Sequence, residues 1–278
     1  MPLLHIVILA VVQGITEFLP ISSSGHLILT WQAFDALGMA GIEQSQTDRL
    51  VLDIAAHVGT LGAVCLYAWR EVAQMAGGVA RLAVGRWTPG ARLAALLVVG
   101  TLPLIVAGWL LMDAVTGYLR DAAVIAWATI IFGIVLYIAD RSTLTLRRIE
   151  HMTFAAAIVI GLSQILALIP GTSRSGITMT AGRFLGFERV EAARFSLLLS
   201  IPAILGAGTL AGCELYSSGN ATLGYTAVVA AGLSFAAALV AIVLMMGWLR
   251  RASFTPFVVY RILLGAALLW WVNSGGSL

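Results

Sequence analysis

The chain has 278 residues, 60% of them hydrophobic and only 10% charged, with a mean hydropathy of +0.98 and a formal net charge of +3. A soluble domain carries about a quarter charged residues, so this composition excludes a soluble globular enzyme, a disordered chain and a nucleic-acid-binding domain. All sixteen basic residues are Arg, and in a membrane protein their placement matters more than their sum.

The N-terminus has no charged n-region, and no small-residue cleavage site ends its first apolar run. It therefore reads as mature structure rather than a removed signal. Residues 3–31 are apolar but interrupted by PISSSG at 20–25. Stretches of about 20 apolar residues, the length of a membrane span, follow at 50–69, 93–112 and 120–139. A second interrupted region, 153–186, contains PGTSRSG at 170–176, and spans at 193–213, 223–249 and 254–273 complete the chain. In both interrupted regions the arms beside the break are too short to cross a bilayer. That pattern predicts re-entrant hairpins, because irregular backbone at membrane depth survives only where protein or a water-filled cavity surrounds it. The expected fold is an all-α polytopic membrane protein with six full transmembrane helices and two re-entrant helical hairpins. Cys65 and Cys213 lie in apolar stretches and read as small hydrophobes rather than a disulfide framework.

Six spans and two hairpins place the loops on alternate sides. One side receives Arg70, Arg81, Arg86, Arg92, Arg141, Arg147, Arg148, Arg183, Arg189, Arg194, Arg250 and Arg251; the side of the N-terminus receives Arg49 and Arg120. The arginine-rich side is expected to be cytoplasmic. Both termini are then expected to face outward, with Trp270 and Trp271 near the outer interface.

The two interrupted regions resemble each other. Gly14-Ile15-Thr16-Glu17-Phe18-Leu19 parallels Gly161-Leu162-Ser163-Gln164-Ile165-Leu166, and the Pro20–Gly25 break parallels Pro170–Gly176. Each hairpin precedes three spans, an odd number, so the halves 1–148 and 149–278 are expected to form an inverted-topology repeat. In such folds the site lies near the midplane, where the repeats meet.

Ionisable residues inside a membrane are functional candidates by default. Gln13 and Glu17, four apart, share a helix face; Glu17 is placed to ligate a cation, act as a general base, or cap the loop. Ser22, Ser23 and Ser24 before Gly25 offer hydroxyl and N–H groups to an anion, or simply cap a helix. His26, within reach of the same point, is suited to moving a proton near neutral pH. Arg174 at the second tip, among Gly171, Thr172, Ser173, Ser175 and Gly176, suits a phosphate bidentately; the alternative is a salt bridge to Glu17 or Asp53. Asp53 and His57 form another i, i+4 pair, placed to orient the site, line its mouth, or serve structure alone. Arg261, near the cytoplasmic end of the last span, is expected to snorkel to the surface. Together these groups suit a phosphate or diphosphate on a lipid, with a divalent cation beside Glu17.

QGITEFLPISSSGH at 13–26, DIAAHVGT at 53–60 and PGTSRSG at 170–176 resemble the signature regions of the undecaprenyl-diphosphate phosphatase family, also called the bacitracin-resistance protein family. The resemblance runs the length of the chain. It implies a bacterial inner-membrane enzyme that hydrolyses undecaprenyl diphosphate to undecaprenyl phosphate, recycling the lipid carrier of peptidoglycan synthesis, with Mg²⁺ or Ca²⁺ as cofactor. It also implies Glu17 as catalytic carboxylate, Ser23 as nucleophile, His26 as proton-transfer residue and Arg174 as diphosphate clamp, assisted by Ser173 and Ser24. Gln13 takes the uncharged option at a position that is Glu or Gln in the family. The cation is then expected on Glu17, with the Gln13 amide oxygen as a neutral ligand. The expected partners are the lipid diphosphate and the membrane, with no nucleic acid; a homodimer is left open. The site is expected to open to the periplasm. The competing reading is a transporter or flippase of a lipid phosphate or other anion, since inverted repeats with broken helices are also a transporter architecture. The acid-phosphatase-like lipid phosphatases are excluded, because the chain has no Lys and carries Thr180 where that class has His.

Overall fold

A computed structural model describes residues 3–37, 46–111, 119, 121–142, 147–218 and 221–274, with backbone alone for 46–48, 207, 210–218 and 221–223. Of the sequence expectations, loop 113–120 with Arg120 (Leu119 aside), the Cys213 side chain and much of loops 32–49 and 214–222 lie outside the described residues.

Among the described residues the regular structure is helical, apart from an isolated bridge pairing Arg147 with Phe187. The chain opens with α1 (Leu3–Thr16), breaks, and resumes as α2 (Ser23–Ala36). The break has a local cause: Pro20 lacks an N–H and its ring disfavours helical geometry at Leu19. Next come α3 (Gln46–Tyr67), the short α4 (Trp69–Leu82), α5 (Pro89–Leu110) and α6 (Ala122–Ser142). The second broken pair is α7 (Phe154–Ser163), a 3₁₀ turn over Gln164–Leu168, and α8 (Arg174–Phe184). Three long helices follow: α9 (Arg189–Ser218), α10 (Ala221–Leu249) and α11 (Thr255–Asn273).

Five helical segments are long and apolar enough to cross a membrane: Arg49–Tyr67, Pro89–Leu110, Ala122–Ser142, Gly224–Leu249 and Thr255–Asn273. Five of the six stretches read as spans from the sequence fall on them. The sixth, 193–213, lies within the 30-residue α9, whose first two turns carry Arg189, Glu191 and Arg194, and α9 is not one of the five.

Small residues let the helices meet closely, the usual packing where lipid supplies no hydrophobic drive between helices. A Cβ on Gly14 of α1 would stand 2.6 Å from Ala237 Cβ on α10, and one on Gly161 of α7 would stand 2.4 Å from Gly100 O on α5. Below the breaks, Phe18, Leu136, Met179, Leu197, Ile242 and Phe254 form a buried cluster. A second gathers Leu96, Ile160, Phe187, Phe195 and Leu199.

A polar knot closes one end of the molecule. Asp140 Oδ1 on α6 takes Arg189 Nε at 2.7 Å and lies 3.1 Å from Arg183 Nε, while its Oδ2 accepts the Phe254 N–H at 3.3 Å. The Asp140 and Arg183 side chains are only 2% and 3% exposed. Removing one partner of a buried pair leaves the other charge uncompensated. Asp140→Ala is therefore expected to lower unfolding stability by about 3–5 kcal/mol, read as a drop in the thermal midpoint of the detergent-solubilised protein.

Candidate active site

The two breaks meet, and they are built alike. Ser22 caps α2 with φ 75°, and its Oγ accepts the Gly25 N–H at 3.4 Å. Ser173 caps α8 with φ 72°, and its Oγ accepts the Gly176 N–H at 3.1 Å. They are the two positive-φ residues other than Gly among the described residues. Such left-handed backbone costs a non-Gly residue about 1–3 kcal/mol and persists where the surroundings over-determine it. Here each turn starts a new helix and lets its serine hydroxyl take one of the first N–H groups, which no intrahelical carbonyl can take.

The tips are stitched together. Ser22 Oγ also accepts the Gly171 N–H at 3.2 Å, and Ser175 Oγ donates to Leu19 O at 2.9 Å. At the centre sits the Glu17 carboxylate, buried at 6% exposure. Its Oε2 accepts Gln13 Nε2 and Ser23 Oγ, each at 2.8 Å, and lies 3.4 Å from His57 Nε2. Its Oε1 accepts Arg174 Nη2 at 2.8 Å. Glu17, Gln13, Ser23, Arg174 and His57 thus converge on one carboxylate. Of the two internal partners the sequence offered Arg174, the structure has Glu17. Asp53 Oδ1 instead accepts Trp31 Nε1 at 3.0 Å. Ser24 is exposed and Ser23 half-buried, while Gly171, Thr172, Ser173, Ser175 and Gly176 are buried in the second tip.

His26 is not brought to Ser23 by any hydrogen bond described. Its Nδ1 bonds Ser22 O at 2.6 Å and its Nε2 bonds the Tyr260 hydroxyl at 2.6 Å. The carbonyl can only accept, so Nδ1 carries the hydrogen and Nε2 accepts from Tyr260 when the ring is neutral. The expectation for Arg261 is overturned. It does not snorkel: at 0% exposure it turns inward, held by backbone carbonyls. Its position about 9 Å inside α11, at 1.5 Å per residue, allowed either direction, and the carbonyls freed at both breaks decide for the interior. Tyr260, absent from the sequence candidates, carried no signal beyond adjacency to Arg261.

The comparisons with known proteins now bear on this geometry. Residues 6–267 match the family described as bacitracin resistance protein BacA. This chain belongs to the BacA family. A relative from Rhodospirillum rubrum, named undecaprenyl-diphosphatase 1, is 51% identical over 276 residues, covering 97% of this chain and 95% of that protein. Relatives named undecaprenyl-diphosphatase from Jannaschia sp. and Alteromonas mediterranea are 50% and 46% identical, each over at least 97% of this chain. In this BacA-family chain, then, each of the three motifs that carried the resemblance supplies a neighbour of the Glu17 carboxylate: Gln13 and Ser23 from the first, His57 from the second and Arg174 from the third.

Ser22 holds both tips, whereas Ser24 makes one 3.3 Å contact at the surface. Ser22→Ala is expected to cost about 1–2 kcal/mol of unfolding stability, and Ser24→Ala less than about 0.5 kcal/mol. Parallel thermal melts in one detergent check the difference.

Proposed function

We propose that the chain is an integral-membrane phosphatase that hydrolyses undecaprenyl diphosphate to undecaprenyl phosphate and inorganic phosphate. One observation carries the proposal beyond family membership. The Ser23 hydroxyl donates to the Glu17 carboxylate at 2.8 Å while Arg174 neutralises the other carboxylate oxygen. A nucleophile, a base and a phosphate-binding guanidinium thus share one buried junction, as covalent catalysis requires.

In this scheme Arg174 and the first-turn N–H groups of α2 and α8 bind the terminal phosphate. Ser23 Oγ attacks its phosphorus in line, its proton passing to Glu17. The bridging P–O bond breaks, and the lipid phosphate leaves with the proton that Glu17 took from Ser23, which frees the carboxylate for the second step. A water activated by Glu17 then hydrolyses the phosphoserine, releasing inorganic phosphate. The rival scheme has that water attack the diphosphate directly. Glu17, rather than His26, is the base for Ser23, because the hydrogen bonds of His26 run to Ser22 O and Tyr260.

The residues fit a divalent cation, Mg²⁺ or Ca²⁺. Gln13 Oε1 is buried without a hydrogen-bond partner among the described residues, on the amide whose Nε2 holds Glu17. No cluster of three His, Cys, Asp or Glu exists among the described residues. One carboxylate and one amide oxygen suit Mg²⁺, which takes few protein ligands and completes its shell with water and substrate oxygens. Glu17 and Gln13 would hold the cation, which neutralises charge on the diphosphate when bound.

The same reading places six spans and two re-entrant hairpins in a bacterial inner membrane, as inverted halves 1–148 and 149–278. Three observations support it. Ser22 and Ser173 adopt the same rare conformation with the same cap. The paired glycines, Gly14 and Gly161, each pack an initial hairpin arm against a helix of the other half. The loops that the arginine bias assigns to the cytoplasm meet at one end: Arg194 pairs with Glu71, the Arg147 N–H reaches Gly186 O, and the Phe254 N–H reaches Asp140. Both termini and the mouth of the site then face the periplasm.

The test is phosphate release from a C55 or C15 prenyl diphosphate by the purified protein, with and without EDTA. Release that EDTA abolishes, and that falls by about 10²–10³-fold or more in Arg174→Ala, is the expected result. Absence of release from folded wild-type protein under any cation overturns the phosphatase and favours lipid-phosphate transport. Ser23→Ala separates the two schemes: a loss of about 10³-fold or more supports the phosphoserine, and near-normal turnover supports direct attack by water.

A further inference from the structure

The last helix brings a second guanidinium to the tips. Arg261 is fully buried, and its donors reach three parts of the fold. Nη1 bonds Pro20 O of the first tip at 3.2 Å, Nη2 bonds Gly171 O and Thr172 O of the second at 3.0 and 2.9 Å, and Nε bonds Thr129 O of α6 at 3.0 Å. The space for it is cut by glycines. A Cβ on Gly176 would stand 2.9 Å from Nη1, and one on Gly133 would stand 3.2 Å from Arg261 Cβ.

Its charge is left uncancelled. None of the ion pairs among the described residues includes Arg261. Arg174 and Glu17 neutralise each other, so among the described side chains of the junction Arg261 brings a positive charge that no carboxylate balances. Burying an ion with only dipoles for company is costly, and a neutral donor would have sufficed to hold carbonyls. What the guanidinium adds is a charge that an arriving anion would balance, in surroundings where charges are weakly screened.

We propose that Arg261 is a positioning residue for the diphosphate. Its rigid fork holds the two tips in register through their carbonyls, and its charge raises the affinity of the junction for an anion it does not touch. The proposal rests on the phosphatase reading. It separates Arg261 from Arg174, whose guanidinium is the one placed to bind phosphate itself.

The test compares wild type, Arg261→Gln and Arg261→Lys as full-length protein in detergent. It measures kcat and KM for farnesyl diphosphate, and the thermal shift produced by inorganic pyrophosphate. Arg261→Gln, which loses the charge, is expected to raise KM and the apparent pyrophosphate Kd together by about tenfold or more. Arg261→Lys, which keeps the charge but not the fork, is expected to hold the Kd within about threefold of wild type while kcat falls by about tenfold or more. A destabilised control, Ile242→Ala in the core, is expected to lower the melting temperature with KM and Kd unchanged. Gly176→Ala, which crowds Nη1 without removing it, is expected to lower kcat as Arg261→Lys does, and it serves if the Arg261 variants do not fold. Wild-type KM, kcat and Kd in folded Gln and Lys variants overturn the proposal, as do losses no larger than those of the control at equal melting temperature. Wild-type protein that releases no phosphate overturns the phosphatase reading instead, and the anchoring role of Arg261 then stands or falls on the pyrophosphate shifts.

Discussion

Backbone that stops being helical inside an apolar chain must find partners for the carbonyls and N–H groups it frees, because there is no water to take them. The centre of this protein answers that demand twice, at Pro20 and near Pro170, by making each break the solution for the other. Ser22 takes an N–H from the second tip, Ser175 gives its hydroxyl to a carbonyl of the first, and Arg261 gathers carbonyls from both. Remove either break and the polar groups of its partner are stranded. The left-handed turns at Ser22 and Ser173 persist for the same reason.

The freed groups are drawn into side-chain bonds: Arg261 donates to carbonyls of both tips, and the capping hydroxyls of Ser22 and Ser173 take the Gly25 and Gly176 N–H groups. Among the described residues at the junction, the guanidinium groups of Arg174 and Arg261 stand beside one carboxylate, that of Glu17. In the second tip the residue aligned with Glu17 is Gln164, whose amide is spent on Gly100 O. The two tips share the same cap and the same left-handed turn, but only the first places a carboxylate there. Arg174 links the halves chemically, since its partner Glu17 belongs to the other tip.

Much of this was legible in the chain. Hydrophobic runs marked the helices, Pro/Gly/Ser interruptions marked the breaks, and the costly polar residues at those breaks were the site candidates. Glu17, Ser23 and Arg174 do meet. His57, read as an open choice between orienting the site and serving structure, lies against Glu17, because α3 packs beside α1. His26 shares the first turn of α2 with Ser23, and its ring bonds Tyr260, a partner 234 positions away that the sequence did not point to. One assignment went the other way. Arg261 was read as a surface-seeking side chain because sequence shows depth along a helix but not what lies across from it.

Composition, periodicity and helix-breaking residues act locally, so the sequence by itself determined that the chain is helical and membrane-like, where it breaks, and which residues are too costly to be there without a use. Whether a polar group in an apolar environment turns outward, pairs, or clasps backbone depends on which groups face it from distant segments. That is a matter of packing, and only the tertiary structure decided it: Arg174 to Glu17, His26 to Tyr260, and Arg261 to the carbonyls of both tips.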